Sequence, residues 1–100
     1  MCIRDRHLNS LHRTDKQLSV SILFEGKEGV TRSLYLKKDG LLPEHTTAIP
    51  AVLLCVTGKV TYEDEKGCQV VLEPGNFQNI EPNIKHWVKS FEDSQLLLMK

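Results

Sequence analysis

The 100-residue chain has no net charge and no long apolar segment, and each absence excludes a class of protein. Thirteen Lys and Arg residues balance thirteen Asp and Glu residues, so there is no strong basic field to hold a nucleic-acid backbone. The longest apolar stretch, Ala48 to Val56, is interrupted by Pro50 and is far shorter than the roughly 20 residues that a membrane-spanning helix needs. We therefore expect neither nucleic acid nor a membrane as a partner.

Cysteine is also scarce, and its spacing excludes two further classes. Cys2, Cys55 and Cys68 are an odd number and lack Cys-x-x-Cys spacing, which argues against both a disulfide framework and a zinc ribbon. No apolar segment follows Arg4 and Arg6, so no secretory signal is visible. These features predict a protein of the reducing cytoplasm.

The first residues resemble something other than protein-coding sequence. Met1 to Arg6 is similar to the translation of a transposase-end adapter from sequencing libraries, as found at the ends of metagenomic contigs. The alternative is a short charged tail. The adapter interpretation removes Cys2 from the natural protein and leaves open whether the natural start lies upstream. We expect residues 1–17 to form a polar leader and residues 18–100 to form the folded domain.

Alternating apolar residues predict β-strands from Leu18 onward. Leu18, Val20, Ile22 and Phe24 are expected to share one half-buried face. Residues 52–56 are apolar at every position, so we expect an interior strand between two layers. Turn residues recur at short intervals, and no helical apolar stripe runs for three turns, which indicates an all-β sandwich or small barrel of eight to nine short antiparallel strands. The predicted strands are 18–24, 31–36, 52–56, 59–62, 69–72, 77–80, 86–88 and 95–99, with an irregular stretch from Pro43 to Pro50.

Two histidines carry a resemblance to a known family. His45 precedes the most apolar strand and His86 begins a later one, and each follows a proline-containing turn. The segment from Gly40 through His45 to Gly58 resembles the first motif of the cupin superfamily. The segment 75–86, with its glycine, proline and terminal histidine, resembles the second. The resemblance extends from about Leu18 to the end of the chain and implies a small jelly-roll barrel.

The resemblance also implies a metal site, which this sequence matches only in part. In cupins, histidines and a glutamate from separate strands surround one ion at the barrel mouth. His45 and His86 match the first and last ligands, whereas Thr47 and Ala51 stand where a second histidine and the glutamate belong. Two imidazoles without a carboxylate form a weak site for iron, zinc, nickel or manganese. Metal ligation by His45 and His86 is therefore one hypothesis, and hydrogen bonding by metal-free histidines is the other.

Three functions remain open at this point. The first is a domain that binds a small polar or acidic molecule in a central pocket without catalysis. The second is an enzyme, either a metal-dependent isomerase or dioxygenase using His45 and His86, or a metal-free isomerase with histidine as the general base. The third is an interaction module that forms a homodimer. Cys55 shares the inward face with Leu53, although a cysteine there is more often a core residue. The predicted pocket residues are His45, Thr47, Leu53, Cys55, Phe77 and His86.

Overall fold

The computed structural model describes residues 8–12 and 17–100 and confirms the all-β prediction. A short 3-10 helix, Leu8–Leu11, precedes nine strands, and the described residues contain no helix long enough to cross a membrane. The adapter-like segment, residues 1–6, lies outside the described residues. The strands are β1 (Leu18–Glu25), β2 (Val30–Leu36), β3 (Leu41–His45), β4 (Ala51–Thr57), β5 (Val60–Asp64), β6 (Gln69–Leu72), β7 (Phe77–Ile80), β8 (His86–Ser90) and β9 (Ser94–Met99).

The strands form two antiparallel sheets that bury one core between them. The large sheet has the order β1-β2-β9-β4-β7, and the small sheet has the order β3-β8-β5-β6. Strand β4 alternates: Ala51, Leu53 and Cys55 are buried between the sheets, while Val52 and Leu54 are only partly covered. The expectation that β4 is buried on both faces therefore holds for the inner face alone, because the small sheet covers only that face of the large sheet.

Strand β1 forms where predicted, but its apolar face is largely exposed. Val20 is 51% exposed, Ile22 55% and Phe24 64%. The reason is the position of the strand: β1 is the edge of the large sheet, beyond the four strands of the small sheet. A bulge between Ile22 and Phe24 also shifts the register, which turns Phe24 to the opposite face from Ile22. Leu18, Val20 and Ile22 therefore share one face as predicted, but only Leu18 packs against the core, and the prediction is wrong for Phe24.

Strand β3 was not predicted, and its last three residues fall in the stretch that was expected to be irregular, Pro43 to Pro50. It pairs with β8 despite containing Pro43, and its register shifts between Leu42 and His45. An edge strand tolerates proline because the missing N–H group can lie on the unpaired side. The pattern of the sequence could not reveal this strand, because a strand that contains proline and has a single partner is possible only at the sheet edge, and the sequence does not show which strands are at the edge.

Part of the polar leader packs on the outer face of the large sheet. The His12 ring places Nδ1 2.8 Å from Ser19 Oγ and Nε2 2.7 Å from Ser33 Oγ. It also stacks on Tyr35, with ring centroids 6.0 Å apart. Burial lowers the pKa of His12, which favours its neutral form. His12 therefore contributes to the packing of β1 and β2.

The two ends of the sandwich differ in construction. At one end, tight turns connect β2 to β3, β4 to β5 and β8 to β9. Gly58 lies in the second of these turns with φ +90°, where a Cβ atom would overlap Ser94 Oγ and the Asp93 carbonyl. At the other end, which we call the histidine end, residues 46–50 and 81–85 form longer connections. Asn83 N donates to the Thr47 carbonyl at 2.7 Å and joins them.

Gly58→Ala should destabilise the protein by about 3 kcal/mol or more, because left-handed backbone strain and steric overlap add. Gly67→Ala is the matched control, since Gly67 also has φ +90° but has no atom within 4 Å of the added Cβ. It should cost only about 1 kcal/mol. Urea unfolding of both variants measures the difference, and equal losses would show that the Gly58 turn relaxes around a methyl group.

Candidate functional site

The structure brings His45 and His86 together at the histidine end. The two residues lie directly opposite each other in the β3–β8 pairing, so both side chains project from the same face. Their Nε2 atoms are 3.0 Å apart, and their ring centroids are 4.1 Å apart. Two positions separated by forty residues of sequence thus form one pair.

A backbone carbonyl orients each ring. His45 Nδ1 lies 2.9 Å from the Pro43 carbonyl oxygen, and His86 Nδ1 lies 3.0 Å from the Ile84 carbonyl oxygen. A carbonyl oxygen can only accept, so each Nδ1 must carry the hydrogen and donate it. In a neutral imidazole the other nitrogen is then an unprotonated acceptor. Both Nε2 atoms therefore present lone pairs when the rings are neutral.

The two nitrogens lie at hydrogen-bonding distance, but when both rings are neutral neither has a hydrogen to donate to the other. In a linear N–H···N hydrogen bond aligned with the acceptor lone pair, the ring centroids would lie roughly 5 Å apart. The observed centroids are 4.1 Å apart and the ring planes are 62° apart, so the rings meet edge to face rather than head to head. Two adjacent lone pairs repel each other, and a proton, a polar hydrogen of a ligand or a metal cation placed beside both would relieve this repulsion.

The two histidines differ in burial. His86 is 2% exposed and stacks on Tyr62 at 5.9 Å, whereas His45 is partly exposed and forms the solvent side of the pair. Burial is the main cause that lowers the pKa of His86, and the charges of His45 and Lys100 act in the same direction. The Ile84 carbonyl and Asp64 oppose this shift. His86 is therefore predominantly neutral at pH 7.

Tyr62 and Asp64 border the pair, and sequence reasoning missed both. Asp64 lies opposite His86 in the β5–β8 pairing. Its Oδ1 accepts from Lys66 N at 2.9 Å and Cys68 N at 3.0 Å, which fixes the hairpin turn. Its Oδ2 accepts from Tyr62 Oη at 3.4 Å, and burial together with Asp64 raises the pKa of Tyr62 to about 12. The Asp64 carboxylate, although it lies in register with the histidine pair, thus accepts hydrogen bonds from its own strand and turn. No motif marks it, because the acidic turn looks like an ordinary solvated hairpin.

The described residues contain no group of three His, Cys, Asp or Glu side chains placed to hold a metal ion. A metal at the histidine end would therefore have His45 and His86 as its protein ligands, with the remaining positions open to water or a small molecule. Backbone carbonyls that hold Nδ1–H are the usual outer partners of histidines that ligate through Nε2. The two rings are therefore oriented as metal-binding histidines are, but they supply only two protein ligands.

The other predicted pocket residues form no hydrogen bond with the pair. Leu53 is 1% exposed and Cys55 is fully buried in the core, where burial raises the pKa of the Cys55 thiol. Thr47 is buried, but its hydroxyl donates to the Ile49 carbonyl at 3.0 Å. Phe77 is 60% exposed and lies opposite Leu54 on the outer face of the large sheet. Core side chains fill the space where a central pocket was expected, so the accessible site lies at the histidine end.

An open apolar depression of about 310 Å³ lies near this end, on the β4–β7 side. It is lined by residues 50–52, 79–82 and 99, and neither histidine contributes to it. This depression is therefore separate from the histidine pair.

Comparison with known proteins identifies the fold. No family model and no curated protein sequence matches the chain. A cupin superfamily protein from Desulfitobacterium hafniense superposes with a TM-score of 0.84 and 10% identity, over 98% of this chain and 92% of that one. An RmlC-like cupin from Desulfovibrio desulfuricans gives 0.81 and 16%, over 99% and 94% of the two chains. An RmlC-like cupin from Shewanella frigidimarina gives 0.76 and 18%, over 83% and 74%. The chain has the cupin fold, which confirms the predicted jelly roll.

Burial predicts unequal costs of truncating the two histidines. His86→Ala should lower the free energy of unfolding by about 2–3 kcal/mol, because it removes a buried ring and leaves the Ile84 carbonyl unpaired. His45→Ala should cost about 1 kcal/mol or less, since its ring is partly exposed. Urea unfolding at pH 7.5 compares the two, and a smaller loss for His86→Ala would contradict the buried position of that ring.

Proposed function

We propose that this cupin-fold chain binds a small polar molecule at the histidine end, through Nε2 of His45 and Nε2 of His86. The observation that carries the proposal is the pair of adjacent nitrogens, 3.0 Å apart, whose Nδ1 partners are both occupied by backbone carbonyls. A ligand hydroxyl or N–H group donates to these nitrogens and relieves their repulsion. Asp64 is already bound to backbone N–H groups, which supports binding rather than catalysis with a paired carboxylic acid.

A second candidate is binding of one divalent transition metal, and a specific observation favours it. Two histidine nitrogens at about 2.1 Å from one ion, on adjacent positions about 90° apart, would be separated by about 3.0 Å. The Nε2 separation of 3.0 Å fits this arrangement. Iron, zinc, nickel or manganese held there would act as a Lewis acid on a small molecule, which suits an isomerase activity. A dioxygenase activity would require one of the redox-active metals, such as iron, nickel or manganese, and dioxygen as the oxidant.

The two candidates are separated by metal content and ligand titration. Elemental mass spectrometry of untagged protein purified without chelator should find less than about a tenth of an equivalent of metal if the metal-free site is correct, because two imidazoles bind weakly. Small hydroxylated molecules should then be screened by NMR, and those that bind should shift the amide signals of residues 45 and 86. The Kd of each such molecule should rise about tenfold or more in His45→Ala.

His12→Gln is the matched control, since His12 also bonds through both ring nitrogens but lies on the outer face of the large sheet. It should leave ligand binding unchanged. Near one equivalent of a transition metal, lost in both His45→Ala and His86→Gln, would replace the first candidate with the second. A protein that binds neither metal nor any hydroxylated probe at the pair would overturn both.

We also propose that β1 mediates a homodimer. It is an eight-residue edge strand with exposed Val20, Ile22 and Leu23, and it carries no charge before Glu25. A long, uncharged, apolar edge is suited to antiparallel pairing with β1 of a second copy about a twofold axis. The other edge strands of the two sheets are shorter, with four or five residues.

Light scattering after size exclusion should give about twice the 11.4 kDa chain mass. Ile22→Lys should shift the protein to monomer, because it places a like charge on both copies near the twofold axis. Val71→Lys is the control, since Val71 is similarly exposed, at 47%, but lies on β6. A monomeric wild-type protein at 100 µM, roughly the range of weak association, would contradict the dimer.

A further inference from the structure

Arg32 is a cationic side chain on the inner face of the large sheet. It lies directly opposite Ile22 on one side and Leu98 on the other. Directly opposed residues of neighbouring strands project from the same face, and Leu98 belongs to the core. Arg32 therefore points toward the space between the sheets, at the side where β1 leaves that space uncovered.

The connections place Arg32 at the histidine end. Leu98 pairs with Leu53, so Arg32 and Leu53 share one row across the sheet. The next inward position on β4 is Ala51, which the connection 46–50 joins to His45. In addition, β2 runs through a tight turn into β3, so the β3 edge of the small sheet lies next to β2. Arg32 and the histidine pair thus face the same end of the space from opposite sheets.

Arg32 is half-buried, and one nitrogen of its guanidinium is not satisfied there. Its Nη1 is buried and has no hydrogen-bond partner within the described part of the chain. Burying an unpaired charged donor is unfavourable, and native proteins seldom retain one without a compensating group. An anion that binds this nitrogen would supply the missing acceptor and the missing charge.

Charged groups of both signs lie around this end, and Glu25 lies opposite Val30, one inward position along β2 from Arg32. Lys100 follows Leu98 by two positions, so it shares the inner face with Arg32, and its charge acts on His86. Asp64 is the acidic group in register with the pair, but its carboxylate is bound to backbone N–H groups of its own turn. The charge of Arg32 thus has no acidic partner on the facing row of the small sheet, formed by His45, His86 and Asp64.

We infer that Arg32 binds the carboxylate of a small hydroxy acid, whose hydroxyl group donates to the His45–His86 pair. A planar carboxylate matches the fork of N–H groups that a guanidinium presents. Packed sheets lie about 10 Å apart, a distance that a ligand of a few heavy atoms can span between the side chains of opposite sheets. The inference rests on the proposed function, because the hydroxyl contact uses the same histidines.

Thermal unfolding tests the inference with sodium lactate, sodium acetate and sodium chloride at equal ionic strength. Lactate carries a carboxylate and a hydroxyl, and acetate carries only the carboxylate. Relative to chloride, lactate should raise the Tm of the wild-type protein by about 3 °C or more, and acetate should raise it less. Arg32→Met should lose the response to both anions. Lys27→Met removes an exposed loop lysine and should respond like the wild type.

The experiment distinguishes failure of the proposed anion contact of Arg32 from failure of the proposed hydroxyl contact of the histidine pair. Equal responses of the wild type and Arg32→Met, or no response of the wild type to either anion, would overturn the role of Arg32. His45→Ala should lose only the advantage of lactate over acetate, and a retained advantage would contradict the hydroxyl contact with the histidines. A wild-type acetate titration followed by amide NMR gives a readout that needs no variant. Shifts should concentrate at residues 22, 32 and 98, and shifts confined elsewhere would overturn the inference.

Discussion

The antiparallel pairing of β3 with β8 is the constraint on which the candidate site depends. It sets His45 directly opposite His86, and the bulge beside Pro43 brings that proline's carbonyl within reach of the His45 ring. On β8, the chain before the strand offers the Ile84 carbonyl to the His86 ring in the same way. The backbone thus selects the tautomer of both rings, and the tautomer determines that two acceptor nitrogens meet at 3.0 Å.

The packing of the core explains why this site lies at one end of the sandwich. Leu53, Cys55 and Tyr62 are almost completely buried, so they fill the space that a wider barrel would leave for a ligand. Toward the histidine end, the inner faces become polar, with Arg32 on the large sheet and His45, His86 and Asp64 on the small one. The change from apolar to polar side chains along the same inner face marks where the core ends and the proposed binding site begins.

Much of the fold could be predicted from the sequence because alternation and turn residues are local signals. Strand β4 is predicted by its run of apolar residues, and the hairpin of β5 and β6 is predicted by two short apolar segments with turn residues between them. The exposure of β1 could not be predicted in this way, because Val20 and Ile22 have the pattern of a buried face and only the width of the small sheet leaves them uncovered. Strand β3 was missed for a similar reason, since tolerance of Pro43 depends on its edge position.

For the site, the sequence identified the two histidines and placed too many residues around them. Side chains alternate between the two faces of a strand, and this alternation correctly puts Leu53 and Cys55 on the inner face. It does not show whether the space between the sheets is filled by side chains or open to a ligand. Phe77 was misplaced because the face of a short edge strand depends on its register with β4. Arg32 was not recognised, since its burial and its unpaired Nη1 become visible only when β1, β2 and β9 are aligned.

The most direct test of this account is the protonation state of the two rings in solution. Long-range proton–nitrogen NMR at pH 7.5, assigned with His45→Ala and His86→Gln, reports which nitrogen of each imidazole carries hydrogen. In the ligand-free protein, each ring should carry its hydrogen on Nδ1, which donates to a backbone carbonyl, and should have an unprotonated Nε2. A hydrogen on Nε2 of either ring, with its Nδ1 unprotonated, would mean that the pair satisfies itself, and it would contradict the binding role proposed for it.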